Sequence, residues 1–447
     1  MTASRASVEV RPAARLDGEL RLPGDKSISH RALMLALLAD GVSKIRGAGA
    51  GADIRSTAGI VAAVGAEVER APGAAGNVDY QVRSGGPATL REPAEALDCG
   101  NSGTSMRLFA GLLAGQPLRT TLDGDASLRR RPMARIIEPL RSMGASVEGS
   151  DTDSRPPLTV TGRSPLRSID WATPVPSAQV KSAILLAGLH ANGTTTVRES
   201  VATRDHTERM LRARGVTVRS RAGEDGGAVI EIVGGVAVNA RDEKVPGDPS
   251  AAAFWLVAGA IHPRAELRLR DVGVNPTRRA AIDILHRMGA SIEELSIGAT
   301  ADEADGEPIA DLTVRSSELR AVDLAPAATA AAIDEIPILC LAASQARGRT
   351  VISGAGELRH KESDRIAGIV DGLRALGARI ETDGDDIVID GPTQLHGAAV
   401  NSLGDHRLAM TFAIAGLIAD GQTAISDAAS VAISYPSFFA DLERIRS

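Results

Sequence analysis

Hydrophobic and polar positions along the chain follow one pattern that recurs six times. Each recurrence has a polar turn, an apolar helix rich in Ala and Leu, a short strand and a second helix that carries Arg; the first five add another strand. Successive first helices begin roughly 75 residues apart, beyond the 20–50 residues of solenoid repeats, which predicts a sizeable βα module in each repeat. The first helices are predicted in KSISHRALMLALLADG, NSGTSMRLFAGLLAG, SAQVKSAILLAGLHANG, DPSAAAFWLVAGAI, DEIPILCLAASQARG and DHRLAMTFAIAGLIADG.

Both kinds of helix carry signals of their place in the fold. The first helices are apolar on nearly all sides, which is typical of burial, and their many Ala residues allow close backbone approach. The second helices end in AAVGAEVE, RSMGASVE, RARGVTVR, HRMGASIE and RALGARIE. Glycine there is typical of a left-handed helix C-terminus, and the alternating apolar residues that follow predict a strand. We therefore predict an α/β fold with helices buried and sheets outside.

Six modules divide naturally into two similar domains of three. Pro, Gly and Asp follow one another between a predicted strand and a predicted helix in RLPGD and in KVPGDPS. These stretches predict crossovers between the domains near residues 21–25 and 244–250. One domain is then inserted and spans residues 24–246, while the other is discontinuous and joins residues 1–23 to residues 248–447.

Composition excludes several classes of function. The 447 residues include 50 Lys and Arg against 56 Asp and Glu, a net charge of −6, whereas nucleic-acid-binding proteins usually have a basic excess. Aromatic residues are 2% of the chain, too few to stack on bases. No apolar stretch approaches the ~20 residues of a membrane helix, and no secretory signal is visible. Two cysteines without CxxC spacing predict neither a disulfide framework nor a zinc site, so we expect a cytoplasmic protein.

The polar turns carry cations where the helix dipole would favour acidic side chains. At the starts of first helices these cations are Lys26, Arg31, Arg107, Lys181 and Arg407. Other polar turns add Arg129, Arg130, Arg131, Arg204, Arg209, Lys361 and Arg365. If the modules surround a common axis, these turns converge. Two like charges about 7 Å apart cost roughly 2 kcal/mol at an effective dielectric of about 20, so the cluster predicts a bound polyanion whose phosphate suits helix N–H groups.

Two carboxylates among these cations are candidates for proton transfer. Asp334, in IDEIPI, begins a first helix, and Glu362 lies between two cations in KESDRI. The pair fits a proton donor and a proton acceptor, although a carboxylate beside cations is more often a structural ion pair. The sequence does not assign which carboxylate donates. Asp53 is equally consistent with support of Lys26 and with a simple surface or capping role.

Other polar residues fit catalysis less well. Cys99 precedes GNSGT, but a thiol buried in the core is favoured over a nucleophile. His30, His206 and His406 lack the spacing of metal ligands. The chain contains neither GxxxxGK[ST] nor GxGxxG. We therefore expect no metal and no nucleotide cofactor.

Eight short motifs, in order, are similar to those of one enzyme family. They are LPGDKSISHRAL, GNSGTSMRL, RRRPM, SAQVKSAILLAGL, TRDHTERML, DEIPIL, KESDRI and GDHRLAM, and they span essentially the whole chain. On these residues the chain resembles the enolpyruvyl transferases, in particular those that act on shikimate 3-phosphate. SISHR, SAQVKSA, TRDHTE and NPTR (275–278) resemble the second bacterial class of these enzymes, which is often less sensitive to glyphosate.

The resemblance implies two domains, each of three βαβαββ units, joined by two crossover strands with the substrates between the domains. It also implies a reaction in which the 5-hydroxyl of shikimate 3-phosphate adds to C2 of phosphoenolpyruvate while C3 is protonated. The tetrahedral intermediate then loses phosphate, and the product leads to chorismate and the aromatic amino acids. No metal or organic cofactor is implied. A monomer without a nucleic-acid or membrane partner is expected.

Site residues follow from the resemblance, position by position. Lys26, Asp334 and Glu362 are the implied catalytic residues. Asp334 would handle the proton of the 5-hydroxyl, and the other two would act around C3 and the leaving phosphate. Residues implied to bind shikimate 3-phosphate are Lys26, Ser27, Arg31, Ser177, Ala178, Gln179, Arg204, Asp334 and Lys361. Residues implied to bind phosphoenolpyruvate are Lys26, Gly103, Arg131, Gln179, Arg365 and Arg407.

Four positions depart from the pattern of many relatives. Ile433 stands where many relatives have a Lys near the C-terminus, so one cation for phosphoenolpyruvate is absent. Glu357, Thr203 and His206 stand where members of the first class have Asn, Ser and Tyr. These differences bear on ligand contacts and leave the implied reaction unchanged.

Two alternatives remain open. The related transferases that use UDP-N-acetylglucosamine share the architecture, but they have a Lys-Asn turn where this chain has KSISHR, and Cys99 adjoins a different motif from their loop Cys. A non-catalytic anion-binding relative is the second alternative. Retention of both Asp334 and Glu362 disfavours it.

Overall fold

A computed structural model describes residues 7–223, 226–299 and 305–446. The strands are β1 (Val8–Val10), β2 (Leu16–Arg21), β3 (Ala39–Ala48), β4 (Glu67–Pro72), β5 (Val78–Gly85), β6 (Leu97–Asp98), β7 (Arg119–Asp123), β8 (Ser146–Gly149), β9 (Arg155–Thr161), β10 (Leu166–Arg167), β11 (Asp170–Ala172), β12 (Ala191–Asn192), β13 (Thr194–Glu199), β14 (Val218–Ala222), β15 (Ala228–Val233), β16 (Val238–Asn239), β17 (Glu243–Lys244), β18 (Ala265–Gly273), β19 (Ser291–Ala299), β20 (Pro308–Arg315), β21 (Gly348–Ile352), β22 (Arg379–Asp383), β23 (Asp386–Gly391), β24 (Ala399–Asn401) and β25 (Thr423–Ser426).

Helices lie between most of these strands. They are α1 (Lys26–Leu38), α2 (Ala52–Ala63), α3 (Gly103–Ala114), α4 (Ala134–Ser142), α5 (Ser150–Asp153), α6 (Ala178–Gly188), α7 (His206–Arg212), α8 (Pro249–Ile261), α9 (Ala280–Arg287), α10 (Pro326–Ala331), α11 (Ile336–Gln345), α12 (Arg365–Ala375), α13 (His406–Gly416) and α14 (Phe438–Arg444). The short α5 has left-handed backbone at Asp151 and Thr152, so it is a turn rather than a regular helix. Within the described residues, we find no helix of the length and apolar composition that membrane crossing requires.

The chain divides into two compact units. The inserted unit contains Gly24–Val245 and the described part of Ala299–Glu307, and the discontinuous unit contains the described residues of Met1–Pro23, Pro246–Gly298 and Pro308–Ser447. The sequence pattern predicts a single stretch from residue 248 onward in the discontinuous domain, whereas the structure groups Ala299–Glu307 with the inserted unit. Side-chain bonds to α7 account for that grouping, since the Glu307 carboxylate lies 2.7 Å from His206 Nδ1.

The inserted unit contains three sheets of the same design and a two-stranded parallel sheet of β10 and β12. In the first, β16 and β17 run parallel to β3, which pairs antiparallel with β5, and β5 pairs antiparallel with β4. The second repeats this order with β6, β7, β9 and β8. The third repeats it with β11, β13, β15 and β14. In the second and third sheets, α3 and α6 follow the short parallel strand and lead back to β7 and β13 of the same sheet, whereas β16 and β17 are followed by α8 of the discontinuous unit.

The discontinuous unit repeats the same design three times. Strand β2 runs parallel to β18, which pairs antiparallel with β20, and β19 lies beyond β20. A bridge from Leu324 to Ile352 supplies the parallel contact beside β21, β23 and β22. In the last sheet β24 is parallel to β25, and the N-terminal β1 supplies the antiparallel strand. The predicted α/β class and the three-plus-three arrangement of modules are confirmed.

The first helices of the modules form the interiors of the units, as their apolar composition predicts. Residues 28–38 of α1 and residues 249–260 of α8 are buried. Strands such as β9 alternate buried and exposed residues, so their sheets have one face toward solvent. Each fully buried Leu or Ile contributes about 1.5–3 kcal/mol through removal of apolar surface from water. The predicted arrangement of buried helices under outer sheets is confirmed.

The predicted glycines at the ends of second helices have left-handed backbone. Their φ angles are +127° at Gly65, +103° at Gly144, +84° at Gly215, +89° at Gly289 and +96° at Gly377. Residues with a Cβ rarely adopt these values, which explains the recurrence of Gly at this point of the module.

Helices α3 and α6 approach closely because Gly111 has no side chain. A Cβ added at Gly111 would lie 2.1 Å from the carbonyl oxygen of Ala183, and that backbone atom has little freedom to move. The two helices would have to separate to accept even a methyl group.

We predict that Gly111→Ala lowers the stability of the inserted unit by about 1–3 kcal/mol, the range for overpacked cores. Gly59→Ala is the matched control, because Gly59 lies in α2 and an added Cβ there meets open space. The control should raise stability by up to about 1 kcal/mol through helix propensity. Thermal unfolding monitored by calorimetry compares the variants, and equal midpoints for the two would contradict the close approach of α3 and α6.

Candidate active site

The residues singled out in the sequence fall into two groups, one in each unit. The inserted-unit group is Lys26, Ser27, Arg31, Gly103, Arg131, Ser177, Ala178, Gln179 and Arg204. The discontinuous-unit group is Asp334, Lys361, Glu362, Arg365 and Arg407. Each group is built mainly from the first turns of buried helices.

The first turn of α1 is held by two aspartates. Asp25 caps the helix, and its Oδ1 accepts a hydrogen bond of 2.8 Å from the backbone N–H of Ile28. Lys26, the first residue of the helix, forms an ion pair with Asp53 in the first turn of α2. Asp53 is buried, so of its two suggested roles the structure shows support of Lys26.

Arg31 lies one turn further along α1 and is almost entirely buried. Its Nε donates to Thr207 Oγ1 at 2.7 Å, and its two Nη atoms donate to the Ser27 carbonyl and to Ser182 Oγ. Burial lowers the pKa of Arg31 to about 10, and the Glu208 carboxylate opposes that shift. The guanidinium is therefore charged at neutral pH and holds the first turn of α1 from inside the unit.

The first turns of α3 and α6 are joined by side-chain hydrogen bonds. Arg107 Nη1 donates to Gln179 Oε1 at 2.6 Å, and Gln179 Nε2 donates to Thr104 Oγ1 at 2.9 Å. Ser177 caps α6, and Ala178 is the first residue of that helix. The structure thus brings the second predicted substrate turn beside the GNSGT turn.

Gly103 leaves space for two guanidinium groups at the start of α3. An added Cβ would lie 2.7 Å from Arg107 Nη1 and 3.3 Å from Arg131 Nη1. Arg131 Nη2 also donates to Asn101 Oδ1 at 2.8 Å. Two cations and the N-terminus of a helix are therefore gathered at one point, which suits an anionic group.

The sequence pattern groups Lys181 with the cations at helix starts that are expected to meet a bound anion, but the structure shows different partners. Its side chain is 1% exposed and forms ion pairs with Glu199 at 2.9 Å and Glu208 at 2.8 Å. Burial alone would lower the pKa of Lys181, but the two carboxylates outweigh burial and raise it above its ordinary value. Lys181 therefore cannot contact a ligand in solvent.

Arg204, which the sequence also singles out, lies half-buried in the turn before α7.

Arg365 is the centre of the discontinuous-unit group. Its side chain is 1% exposed at the start of α12, where Nε donates to Asp405 Oδ2 at 2.7 Å and Nη2 pairs with Glu362. Its Nη1 lies 3.7 Å from Asp334 Oδ1. Burial alone would lower the pKa of Arg365, but these three carboxylates raise it above its ordinary value. One buried cation therefore fixes both carboxylates that the sequence singled out for proton transfer.

Two further cations surround Asp334. Lys361 Nζ lies 3.5 Å from Asp334 Oδ1, and Arg407 Nη2 lies 4.0 Å from Asp334 Oδ2. Arg407 Nη1 lies 3.9 Å from Glu335, the residue that precedes α11. Asp334 therefore sits among cations and stays accessible, with 18% of its side chain exposed.

Sequence reasoning missed Asp405. This residue caps α13, with Oδ1 accepting from the Arg407 backbone N–H at 2.8 Å, and its other oxygen accepts from Arg365. Burial would raise the pKa of Asp405, but Arg365 and then His406 lower it below the ordinary value of 3.8. An Asp directly before an apolar helix in GDHRLAM was the available signal, since Asp is a preferred N-cap.

The remaining candidates are core residues. Burial raises the pKa of the Cys99 thiol far above its ordinary value and raises that of Cys340 to about 12, so neither is activated. Burial lowers the pKa of His30 to about 3 and that of His406 to about 4, so both are neutral. Among residues 7–223, 226–299 and 305–446, no three His, Cys, Asp or Glu side chains are grouped as metal ligands would be.

Carboxylates of the chain itself accompany several of the cations in these turns. Lys26 has Asp53, Lys181 has two glutamates, and Arg365 has three carboxylates. At these three positions the cations therefore do not depend on a bound polyanion to offset their charge. Their charges are offset internally, which leaves the turns folded and ready for a ligand.

Comparison with known proteins gives one consistent result. The family model of EPSP synthase (3-phosphoshikimate 1-carboxyvinyltransferase) matches residues 10–442. Curated proteins named 3-phosphoshikimate 1-carboxyvinyltransferase from Gloeobacter violaceus and Geobacter sulfurreducens are 50% and 46% identical, over 98% of this chain and 98% and 99% of theirs. A solved structure of EPSP synthase from Acinetobacter baumannii is 40% identical with a TM-score of 0.86, over 98% of each chain.

The chain therefore belongs to the EPSP synthase family. The resemblance to enolpyruvyl transferases is confirmed.

We predict that Asp405→Asn destabilises the discontinuous unit by about 3 kcal/mol at neutral pH, because it removes one partner of a buried ion pair. The folded-state pKa of Asp405 is lowered, so its stabilisation is present above the unfolded value of 3.8 and is lost as pH falls below it. The difference in thermal midpoint between wild type and variant should therefore shrink below pH 3.8.

Asp364→Asn is the matched control, because Asp364 caps α12 but its bond to the Ala367 N–H is exposed. Asn caps helices about as well as Asp, so this variant should change stability by less than about 1 kcal/mol. Equal losses for the two variants, or a difference that grows at low pH, would contradict the assigned ion pair.

Proposed function

We propose that the protein transfers the enolpyruvyl group of phosphoenolpyruvate to the 5-hydroxyl of shikimate 3-phosphate, giving 5-enolpyruvylshikimate 3-phosphate and phosphate. Membership of the EPSP synthase family over residues 10–442 supports the activity. Within the structure, the main support for the proposal is that Arg365 forms ion pairs with both Asp334 and Glu362. The reaction places the protein in the shikimate pathway, which leads to chorismate and the aromatic amino acids.

Charge supports the choice of substrates. Each carries one carboxylate and one phosphate of about −1.5 to −2 at neutral pH, so the pair brings about five negative charges. Planar guanidinium groups bind phosphate and carboxylate oxygens with two hydrogen bonds, and helix N-termini add N–H donors. Both groups of candidate residues contain such donors.

Binding roles are assigned residue by residue. Shikimate 3-phosphate is bound by Lys26, Ser27, Arg31, Ser177, Ala178, Gln179, Arg204, Asp334 and Lys361. Phosphoenolpyruvate is bound by Lys26, Gly103, Arg131, Gln179, Arg365 and Arg407. Arg31 and Arg365 are both almost entirely buried, which limits their contact with ligand. Arg31 also acts through the Ser27 carbonyl, and Arg365 also acts through Asp334 and Glu362.

The reaction balances without a metal or an organic cofactor. In the addition step the 5-hydroxyl oxygen bonds to C2 of phosphoenolpyruvate, its proton passes to Asp334, and C3 gains a proton to become a methyl group. In the elimination step that methyl group loses a proton and the bond from C2 to the phosphate oxygen breaks. Glu362 and Lys26 exchange the C3 proton and stabilise the leaving phosphate.

Different tasks are assigned to the two carboxylates. Asp334 lies near Lys361, Arg365 and Arg407, and we assign it orientation of the ring and acceptance of the 5-hydroxyl proton. Glu362 pairs with Arg365, and 22% of its side chain is exposed, against 18% for Asp334. We assign it the exchange of the C3 proton.

A cytoplasmic location and a monomeric state complete the proposal. Cys99 and Cys340 are both buried and free, which suits a reducing compartment. Nothing in the described residues favours the alternative acceptor UDP-N-acetylglucosamine or a non-catalytic relative.

We predict that purified protein releases inorganic phosphate from phosphoenolpyruvate only when shikimate 3-phosphate is present. The measurement is a phosphate-release assay with three arms: shikimate 3-phosphate, UDP-N-acetylglucosamine and no acceptor. Mass spectrometry of the first arm should show the enolpyruvyl product. Release only with the UDP sugar would favour the related transferase, and binding of both ligands without product would favour a non-catalytic relative.

We predict that Glu362→Gln lowers kcat by at least about 100-fold, the scale for loss of one group that stabilises a transition state. Binding of shikimate 3-phosphate, measured by calorimetry, should stay near wild type because the amide keeps the shape of the carboxylate. Asp385→Asn is the matched control, since this exposed carboxylate pairs with Arg359 in the same unit. An unchanged kcat in Glu362→Gln would remove this residue from the mechanism.

A further inference from the structure

The inserted unit contains a buried ion cluster that the proposed reaction does not use. Lys181 lies between Glu199 and Glu208, and the three side chains are 1%, 0% and 2% exposed. They come from the second turn of α6, the end of β13 and the first turn of α7. None of the three can touch a substrate from these positions, so any effect on the reaction must pass through other residues.

The same cluster extends to α1. Ser182 and Thr207 share a hydrogen bond of 2.7 Å, and both accept from Arg31. Glu208 is the charge that most opposes the effect of burial on Arg31. Two buried cations, Arg31 and Lys181, thus accompany two buried carboxylates. The cluster connects three segments that carry proposed ligands of shikimate 3-phosphate: the first turn of α1, the first turn of α6 and the turn before α7.

Glu199 and Lys181 hold one residue of the turn before α7 by several bonds at once. Glu199 accepts from both the hydroxyl and the backbone N–H of Thr203, the latter at 3.3 Å. Lys181 Nζ donates to the Thr203 carbonyl at 3.3 Å. Residues 200–205 form neither a helix nor a strand. Within this stretch, the backbone N–H and the carbonyl of Thr203 are both bonded to buried charged side chains, those of Glu199 and Lys181. Arg204 follows directly.

Buried ion pairs are costly, and apolar residues of similar volume often give equal or greater stability. Stability alone is therefore a weak reason for this cluster. A turn without helix or strand bonds, however, needs such partners to adopt a single conformation. The bonds to Thr203 supply them where the chain must present a cation.

We infer that Lys181 and Glu199 are positioning residues, which hold Thr203 so that Arg204 is presented to the phosphate of shikimate 3-phosphate. The inference rests on the proposed function. It assigns the specificity of the inserted unit for its phosphorylated substrate partly to a pair of side chains that never contact that substrate.

Glu199→Gln tests the inference with the least change in shape. We expect the KM for shikimate 3-phosphate to rise about tenfold, the equilibrium equivalent of one hydrogen bond to a charged group. We expect kcat and the KM for phosphoenolpyruvate to stay within about twofold, because neither depends on the turn before α7. The dissociation constant of shikimate 3-phosphate alone, from calorimetry, should rise by the same factor as its KM.

Glu243→Gln is the matched control. Glu243 pairs with Arg214 at 3.0 Å, and both side chains are buried in the same unit, but neither bonds to residues 200–205 in the pairs described. This variant should lower the thermal midpoint about as much as Glu199→Gln does, while the KM for shikimate 3-phosphate stays at the wild-type value. A parallel rise of KM in both variants would mean that general loss of stability, and not positioning, causes the effect.

Thr203 gives a second, milder pair of variants. Thr203→Val loses the hydroxyl that donates to Glu199, so it should raise the KM for shikimate 3-phosphate. Thr203→Ser keeps the hydroxyl, so its KM should stay near the wild-type value. If Thr203 acts through Glu199, the double variant Thr203→Val with Glu199→Gln should have a KM for shikimate 3-phosphate no higher than the higher KM of the two single variants. Additive losses, or an unchanged KM in Glu199→Gln, would overturn the inference.

Measurements on wild type and on Glu199→Gln together distinguish failure of the positioning role from failure of the proposed function. If wild type forms product and Glu199→Gln binds shikimate 3-phosphate normally, the positioning role is wrong and the proposed function stands. If wild type neither binds shikimate 3-phosphate nor releases phosphate with it, the proposed function is wrong and the positioning role falls with it.

Discussion

A buried guanidinium surrounded by carboxylates determines the geometry of the discontinuous unit's candidate site. Arg365 cannot leave its partners, because an unpaired charge at that depth would cost several kcal/mol. Asp405, Glu362 and Asp334 are consequently held by one group, although they come from the starts of three different helices. The positions of the two proposed acid–base residues therefore depend on the apolar packing that buries Arg365.

The inserted unit reaches a comparable result by a different arrangement. Its buried cations are Arg31 and Lys181, and their partners include hydroxyl groups as well as carboxylates. The more exposed Lys26 and Arg131 lie at helix starts beside polar groups of the chain. Cations at the positive end of a helix are unfavourable alone, but here neighbouring acceptors offset them. A buried layer of ion pairs under a more accessible layer of donors is common to both units.

Much of the fold was predictable because its signals are local. The Gly residues at the ends of second helices, Gly65 and Gly377 among them, were identified from a short pattern, and their backbone is left-handed as expected. The all-round apolar helices likewise indicated their own burial. Membership of the enolpyruvyl transferases was also visible in short motifs.

The partners of the charged residues were less predictable because they are distant in the chain. Lys181 and Lys26 both lie near the starts of first helices, yet one is buried between glutamates and the other is partly exposed. Lys26 is the first residue of α1, whereas Lys181 is the fourth residue of α6 and bonds to Glu199 of β13 and Glu208 of α7. Asp405 was missed for a related reason, since its capping role is local but its bond to Arg365 crosses 40 positions of sequence. Burial of charge is a property of tertiary structure, and composition does not report it.

The pairing of β1 with β25 has a consequence for the order in which the protein matures during synthesis. Val8 lies opposite Ile425, so β1 cannot form these hydrogen bonds until the distant β25 has been synthesised. The inserted unit needs no such delay for its main body, because Gly24–Val245 is continuous. Domains generally fold as units in the order of translation. Strand β1 therefore lacks its partner during the interval in which Gly24–Val245 can already fold.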